Sequence, residues 1–212
     1  MEDTIPQQYY VVFLRHGESV GNAEERFQGQ ADFSLTEKGV AQARTLAARW
    51  QEEEIRFDVC ISSPLLRARQ TAEIVTRALG TPLEIDADWM EIDNGQLAGL
   101  KDDEAAERLP RPTFMTPYTR YGQTGESRWE LYLRAGHAVQ SLLGRPPARY
   151  LIVSHGGILN MAMYTLLSIA PQAHSHGPRF QFENTGFAAF TYDPAKHNWR
   201  MLAFDNRSHW KR

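Results

Sequence analysis

The chain has 212 residues, 42% of them apolar and 23% charged, with a net charge of −3. That length allows one large domain or two small ones around a packed core. The acidic balance argues against a nucleic-acid partner, which needs a basic excess. The lone cysteine, Cys60, cannot form an internal disulfide, and within Phe57-Asp58-Val59-Cys60-Ile61 it reads as a buried strand residue. Met1-Glu2-Asp3-Thr4 has no basic n-region and no apolar stretch behind it. The longest apolar-rich run, Ile158 to Ala170, is too short to span a bilayer and carries Asn160, Thr165 and Ser168. The expectation is a soluble cytoplasmic protein with no membrane partner.

In chain order, Tyr9 to Leu14 is a continuous apolar run, which predicts a strand buried on both faces. A polar loop with Gly21 and Gly29 follows. A helix then opens at Ser34 or Thr36, with Val40, Ala43, Leu46, Ala47 and Trp50 on one side. Phe57 to Ile61 is the second strand. The next helix takes a serine cap, carries Pro64 in its first turn and stops at Gly80. Pro82 to Ile85 is a short strand, and Trp89 to Leu100 is a loop. Residues 109–126, rich in proline and glycine, are mostly irregular. Ser127-Arg128-Trp129-Glu130 forms a capping box for a helix that ends near Leu143. Tyr150 to Val153 is another buried strand, and a helix covers Ile158 to Leu167. Phe187 to Tyr192 and Trp199 to Phe204 flank Asp193-Pro194 as a hairpin. Alternating strands and helices predict one α/β domain over 1–212, a mainly parallel sheet between two helical layers, with an excursion or cap at about 101–126.

Two strands leave the core in the same way. The first runs into Arg15-His16-Gly17 and the later one into Ser154-His155-Gly156-Gly157. Ligands of open parallel sheets bind outside the carboxyl ends of strands, so both imidazoles can face one crevice. Arg67 falls in the first turn of its helix, where the positive end of the helix dipole disfavours a cation unless an anion lies nearby. Arg15 and Arg67 together suit a phosphoryl group, because each guanidinium fork can hold two oxygens and keeps its charge. Glu91, in Trp89-Met90-Glu91, sits beside apolar residues that would favour a protonated carboxyl. Spacing alone does not separate it from Glu84, Asp86, Asp88 and Asp93. His174-Ser175-His176 is the only close histidine pair and lacks further ligands, so no metal site is expected there.

Arg15-His16-Gly17-Glu18-Ser19, Asn22, the stretches LTEKG and SSPLLRARQTA, Glu91 before GQLAGL, and VSHGG occur in that order. This set resembles the histidine phosphatase superfamily, the phosphoglycerate mutase-like group, over about residues 10–165. The resemblance implies a three-layer α/β/α fold. It implies that His16 is a nucleophile forming a phosphohistidine, and that Arg15, Arg67 and His155 hold the phosphoryl oxygens. It further implies that Asn22 borders that pocket, that Gln28 contacts substrate, and that Glu91 protonates the leaving oxygen. His155, if protonated, would add a third cation. The implied partner is a phosphorylated small molecule, with no cofactor and no metal, since arginines neutralise the phosphate.

The family includes hydrolases and mutases. Mutase-type members carry an arginine after the acid glutamate, a lysine shortly downstream and an asparagine after His-Gly; here Ile92, Asp102 and Gly157 stand there. The carboxylates Asp86, Asp88, Asp93, Asp102, Asp103 and Glu104 make an unfavourable neighbourhood for a phosphoglycerate, and GESRWELYLR resembles the phosphatase branch. A phosphatase is the favoured reading. A mutase and a non-catalytic phospho-ligand binding module are the alternatives. Arg108, Arg111, Arg120 and Arg128, with Phe114, Tyr118, Tyr121 and Trp129, could grip a larger anion.

Overall fold

The computed structural model describes residues 8–110, 112–205 and 208–211. Six strands form one sheet: β1 (Tyr9–Arg15), β2 (Val59–Ser62), β3 (Leu83–Ile85), β4 (Arg149–Ser154), β5 (Phe187–Asp193) and β6 (Asn198–Asp205). Their order is β3-β2-β4-β1-β5-β6. The first four are parallel, and β5 and β6 add an antiparallel hairpin to the β1 edge. The helices are α1 (Val20–Ala23), α2 (Glu37–Glu52), α3 (Leu66–Leu79), α4 (Asp102–Arg108), α5 (Arg128–Leu143) and α6 (Gly156–Leu166). The expected mainly parallel three-layer sheet is present. The excursion expected over 101–126 contains α4, which its proline-rich remainder concealed.

The layers follow from side-chain alternation along the strands. Val11, Phe13, Ile61 and Ile152 point into a core with Leu131, Ala135 and Val139 of α5 and Ile158 and Ala162 of α6. Val12, Leu14, Cys60, Leu151 and Val153 point the other way, against Leu46, Ala47 and Trp50 of α2 and Ala68, Ala72 and Val75 of α3. Both faces of β1 and β4 are therefore covered, which explains their uninterrupted apolar runs. Truncating Phe13, wholly buried between Trp89 and Phe190, to alanine would cost about 3–5 kcal/mol.

Helix α2 is capped by Thr36, whose hydroxyl accepts from the Gly39 N–H at 3.0 Å. The cap expected on α3 is different. Leu65 is the N-cap and makes no side-chain bond, and the Leu66 N–H donates to Asp32 Oδ1 at 2.6 Å. Ser63 is thereby left for another partner. From β1 the chain turns through α2 to one side of the sheet. From β4 it turns through α6 to the other side. Their carboxyl ends thus lie at a switch point, where a crevice opens.

Candidate active site

Arg15 and Ser154 are register partners in the parallel β1/β4 pair, and the next residues on the two strands are His16 and His155. The His16 N–H continues the ladder to the Ser154 carbonyl at 3.0 Å. The two imidazoles therefore emerge side by side, with centroids 5.1 Å apart and planes at 58°. Both are buried. His16 Nδ1 lies 2.7 Å from the Gly17 carbonyl, so that nitrogen carries the proton and Nε2 keeps a free lone pair. The loop after His16 is tight. A Cβ at Gly17 would come within 2.5 Å of the Gly39 carbonyl, and one at Gly39 within 2.0 Å of the Glu18 carbonyl, so only glycines let α2 abut this loop.

Arg67 is buried and its guanidinium donates to the Ala31 carbonyl at 3.0 Å and the Gly29 carbonyl at 2.7 Å. Arg15 donates to the Phe182 carbonyl at 2.7 Å. Carbonyls satisfy one side of each fork, but Arg15 Nε and Arg67 Nε are buried without any partner among the described residues, and so is His155 Nδ1. Buried donors are rarely left orphaned. The groups that bear them lie close enough to His16 and to one another to perturb their charges.

Burial, then Arg67, then Arg15 hold the His16 imidazole well below its usual pKa, against a smaller opposing effect of the Gly17 carbonyl. Burial also dominates at His155, followed by Arg67, His16, Arg15 and Arg134. Both rings are thus neutral in the unliganded site at neutral pH, and the third cation imagined at His155 is not present there. Burial lowers Arg67 to about 10 and lowers Arg15 as well, leaving Arg67 charged at pH 7.

The Glu91 carboxyl is met by backbone rather than by the apolar walls expected from its sequence neighbours. Gly157 N–H donates to Oε2 at 2.9 Å, and the Ile158 and Ile92 N–H groups to Oε1 at 3.1 and 2.9 Å. Two of those donors belong to the first turn of α6, a favourable place for a carboxylate. A Cβ on Gly157 would fall 2.4 Å from Glu91 Oε1, so this approach requires glycine. Asn22 and Gln28 share a partner: Ser19 Oγ is 3.0 Å from Asn22 Oδ1 and 2.6 Å from Gln28 Oε1.

Several contributors carry no sequence signal. Ser63 Oγ stands 2.8 Å from His155 Nε2 and accepts from the Leu65 N–H at 3.3 Å; in the tautomer where the hydroxyl donates to Nε2, the imidazole proton sits on Nδ1. Asn184 Nδ2 donates to the His16 carbonyl at 3.1 Å and Asn22 Oδ1 at 3.2 Å. Thr71 Oγ1 accepts from Gly17 N–H at 3.0 Å. Arg134 of α5 donates to the Asp88, Met90 and Glu91 carbonyls at 2.9, 2.7 and 3.1 Å and pairs with Glu126 at 2.7 Å. That one side chain fixes the loop bearing Glu91.

Residues 11–206 match the family model for the histidine phosphatase superfamily (branch 1). The chain belongs to the histidine phosphatase superfamily. Within it, the chain is 36% identical over 167 residues to a probable phosphoglycerate mutase GpmB of Erwinia tasmaniensis, covering 77% of each chain. It is 34% identical over 190 residues to that of Escherichia fergusonii, covering 88% of this chain and 86% of the other. Among solved structures, Bacillus stearothermophilus YhfR superposes with a TM-score of 0.83 at 30% identity, over 95% of this chain and 98% of that one. A putative alpha-ribazole-5'-P phosphatase of Escherichia coli shares the fold at a TM-score of 0.81 and 19% identity, over 94% and 97%.

In this member of the superfamily a cavity of about 500 Å³ opens beyond Arg15 and Glu91. Its charged lining is Arg15, Arg128, Arg179 and Glu91. None of the six carboxylates taken from the sequence as an acidic neighbourhood lines it. Asp86 accepts from Asp88 N–H, Asp88 pairs with His137, and Asp93 accepts from Gly95 N–H. The crevice is cationic. Of the residues expected to grip an anion, Arg128 and Tyr121 line the cavity. Arg120 pairs instead with Glu130, Phe114 packs edge-on to His174, and Tyr118 packs on Trp129. Arg111 lies outside the described residues. His174 and His176 stack on each other at 5.4 Å, and no group of three potential metal ligands occurs among the described residues. Among the described residues no helix is long and apolar enough to cross a membrane.

Proposed function

We propose that this protein hydrolyses phosphomonoesters through a phosphohistidine on His16, with Glu91 as the proton carrier. The observation that carries this is the set of three orphaned buried nitrogens, Arg15 Nε, Arg67 Nε and His155 Nδ1, beside an imidazole whose Nε2 is free. An ester phosphate is a dianion near neutral pH, since its second pKa is about 6. Arg15 and Arg67 offset its charge and stabilise the charge spread over the transferring oxygens. His155 donates through Nδ1.

The Nε2 lone pair of neutral His16 attacks phosphorus. The bond to the leaving oxygen breaks, its electron pair stays on that oxygen, and Glu91 relays a proton to it. Glu91, now a carboxylate, takes a proton from an attacking water. The P–N bond then breaks and its electrons return to Nε2. Inorganic phosphate leaves and Glu91 is protonated again. Asn22 and Gln28 border the phosphoryl pocket and its substrate rim. The segment at 101–126 acts as a cap through Tyr121. The arginines supply the neutralising charge, so the reaction runs without a metal cofactor, in the cytoplasm.

The test is phosphate release from phenyl phosphate in chelator. Turnover by the native chain, with loss below detection in His16→Ala, is expected. Equal turnover by His16→Ala would overturn the nucleophile, and loss in chelator that metal restores would overturn the metal-free mechanism.

Two observations favour a second reading. The cavity is cationic, and the relatives named probable phosphoglycerate mutases cover most of the chain. A mutase would return the His16 phosphoryl group to another hydroxyl. Incubation with 3-phosphoglycerate separates the two: free phosphate supports the hydrolase, and an isomeric phosphoglycerate without phosphate release supports the mutase.

A further inference from the structure

A fourth orphaned nitrogen lies outside the phosphoryl pocket. Arg128 Nε is buried with no partner among the described residues, and it lines the cavity beyond Glu91. Arg128 is also the first residue of α5, at the positive end of a helix whose first turn is already satisfied by the Ser127–Glu130 capping box. A cation in that place is disfavoured by the helix dipole, as Arg67 is at the start of α3, unless an anion arrives.

Arg179 lines the same cavity. It rides on a loop pinned on three sides: Tyr164 Oη donates to the Pro178 carbonyl at 2.7 Å, Asn160 Nδ2 bonds the Phe180 carbonyl, and Arg15 bonds the Phe182 carbonyl at 2.7 Å. Neither Arg128 nor Arg179 makes an ion pair or a side-chain hydrogen bond among the described residues, and Arg179 is near enough to repel Arg15. The single carboxylate of the lining, Glu91, is taken up by three backbone N–H groups. The wall also carries apolar and aromatic side chains, among them Tyr121, Leu131, Met161, Phe180 and Phe182, beside the amides of Asn160 and Gln181. Two guanidinium groups without an ion pair among the described residues, this apolar surface and about 500 Å³ of space exceed what a lone phosphate ester requires.

We infer that the leaving group of the substrate has an apolar or aromatic body and carries a second anionic group, a carboxylate or a second phosphate, held by Arg128 and Arg179. This rests on the reading of Arg15, Arg67 and His155 as the site of the first phosphate. Two guanidinium forks on the wall of one cavity favour such an anion over a neutral group of the same size.

Three non-hydrolysable probes test it by calorimetry on the full chain: benzylphosphonate, 4-carboxybenzylphosphonate and p-xylylenediphosphonate. The two probes with a second anion should bind roughly tenfold or more tightly than benzylphosphonate, a difference expected of one charge-assisted contact. The preference should shrink in Arg128→Gln and in Arg179→Gln and approach unity in the double variant. Arg179 is exposed, so Arg179→Gln keeps the test open if replacing Arg128 impairs folding. The carboxylate and diphosphonate arms show which anion fits better. Equal binding of all three probes to the native chain, or a preference that survives the double variant, overturns the inference and leaves the phosphate site standing. Failure of every probe to bind contradicts the phosphate site itself, and the inference with it.

Discussion

His16 and His155 meet at 5.1 Å because the strands that carry them are in parallel register at Arg15 and Ser154. Ser63 bonds His155 at Nε2 and leaves Nδ1 without a partner among the described residues. Replacing His155 by alanine removes one preorganised donor to the transferring oxygens and should lower kcat about 100-fold. Steady-state kinetics on phenyl phosphate measures this, and a change under threefold would remove His155 from the phosphoryl pocket.

Glu91 should matter in proportion to the difficulty of the leaving group. Glu91→Gln keeps the shape and the hydrogen-bonding reach but carries no proton to donate. Turnover of an alkyl phosphate should fall by roughly 100- to 10,000-fold, whereas p-nitrophenyl phosphate, whose leaving group needs no proton, should change far less at the phosphorylation step. A loss independent of leaving-group pKa in single-turnover experiments argues against a proton-donor role.

Gly157 tests the placement of Glu91 without touching its chemistry. A methyl group there lies 2.4 Å from Oε1, so Gly157→Ala must push the carboxyl away from the start of α6. We expect kcat for alkyl phosphates to drop about tenfold or more, at little cost in Tm, since a displacement of about 1 Å is known to be expensive in catalysis. Unchanged kcat with Glu91 still bonded to Gly157 N–H is the contrary result.

Acid should destabilise the fold well above the carboxylate range. Burial holds His209 at about 4 and holds His16 and His155 well below their ordinary value. The folded protein therefore keeps these rings neutral, while the unfolded chain binds protons below about pH 6.5. Stability from His209 is full above about 6.5 and is lost as pH falls towards 4. Tm should hold from pH 7.5 to about 6.5 and decline from there to pH 5, and His209→Gln, which can still bond Thr185 Oγ1, should show a shallower decline. A Tm that is flat over this range contradicts the assignment.

The strands and helices were legible because apolar runs and 3.6-residue spacing report burial directly. His16, His155, Arg15 and Arg67 were legible because each leaves the carboxyl end of a strand or begins a helix. Other parts were not. Arg134 acts on carbonyls of residues 88–91 across the fold, and an arginine in mid-helix carries no mark of that. The serines before Pro64 looked like a cap, but Ser63 is spent on His155. The run of carboxylates at 86–104 suggested an acidic crevice, yet those side chains turn to N–H groups and a histidine of their own surroundings. Linear charge density is a poor guide where loops fold back on themselves, and the arginines that do line the cavity lie far apart, at 15, 128 and 179.

The central claim is that phosphate passes through His16, and its most direct test is to trap the intermediate. Rapid alkaline quenching of the enzyme during turnover of an alkyl phosphate, followed by peptide mass spectrometry, should find an acid-labile phosphate on His16 that is absent from His16→Ala. Turnover without a trapped phosphoenzyme in single-turnover samples, or phosphate carried on His155 instead, would contradict it.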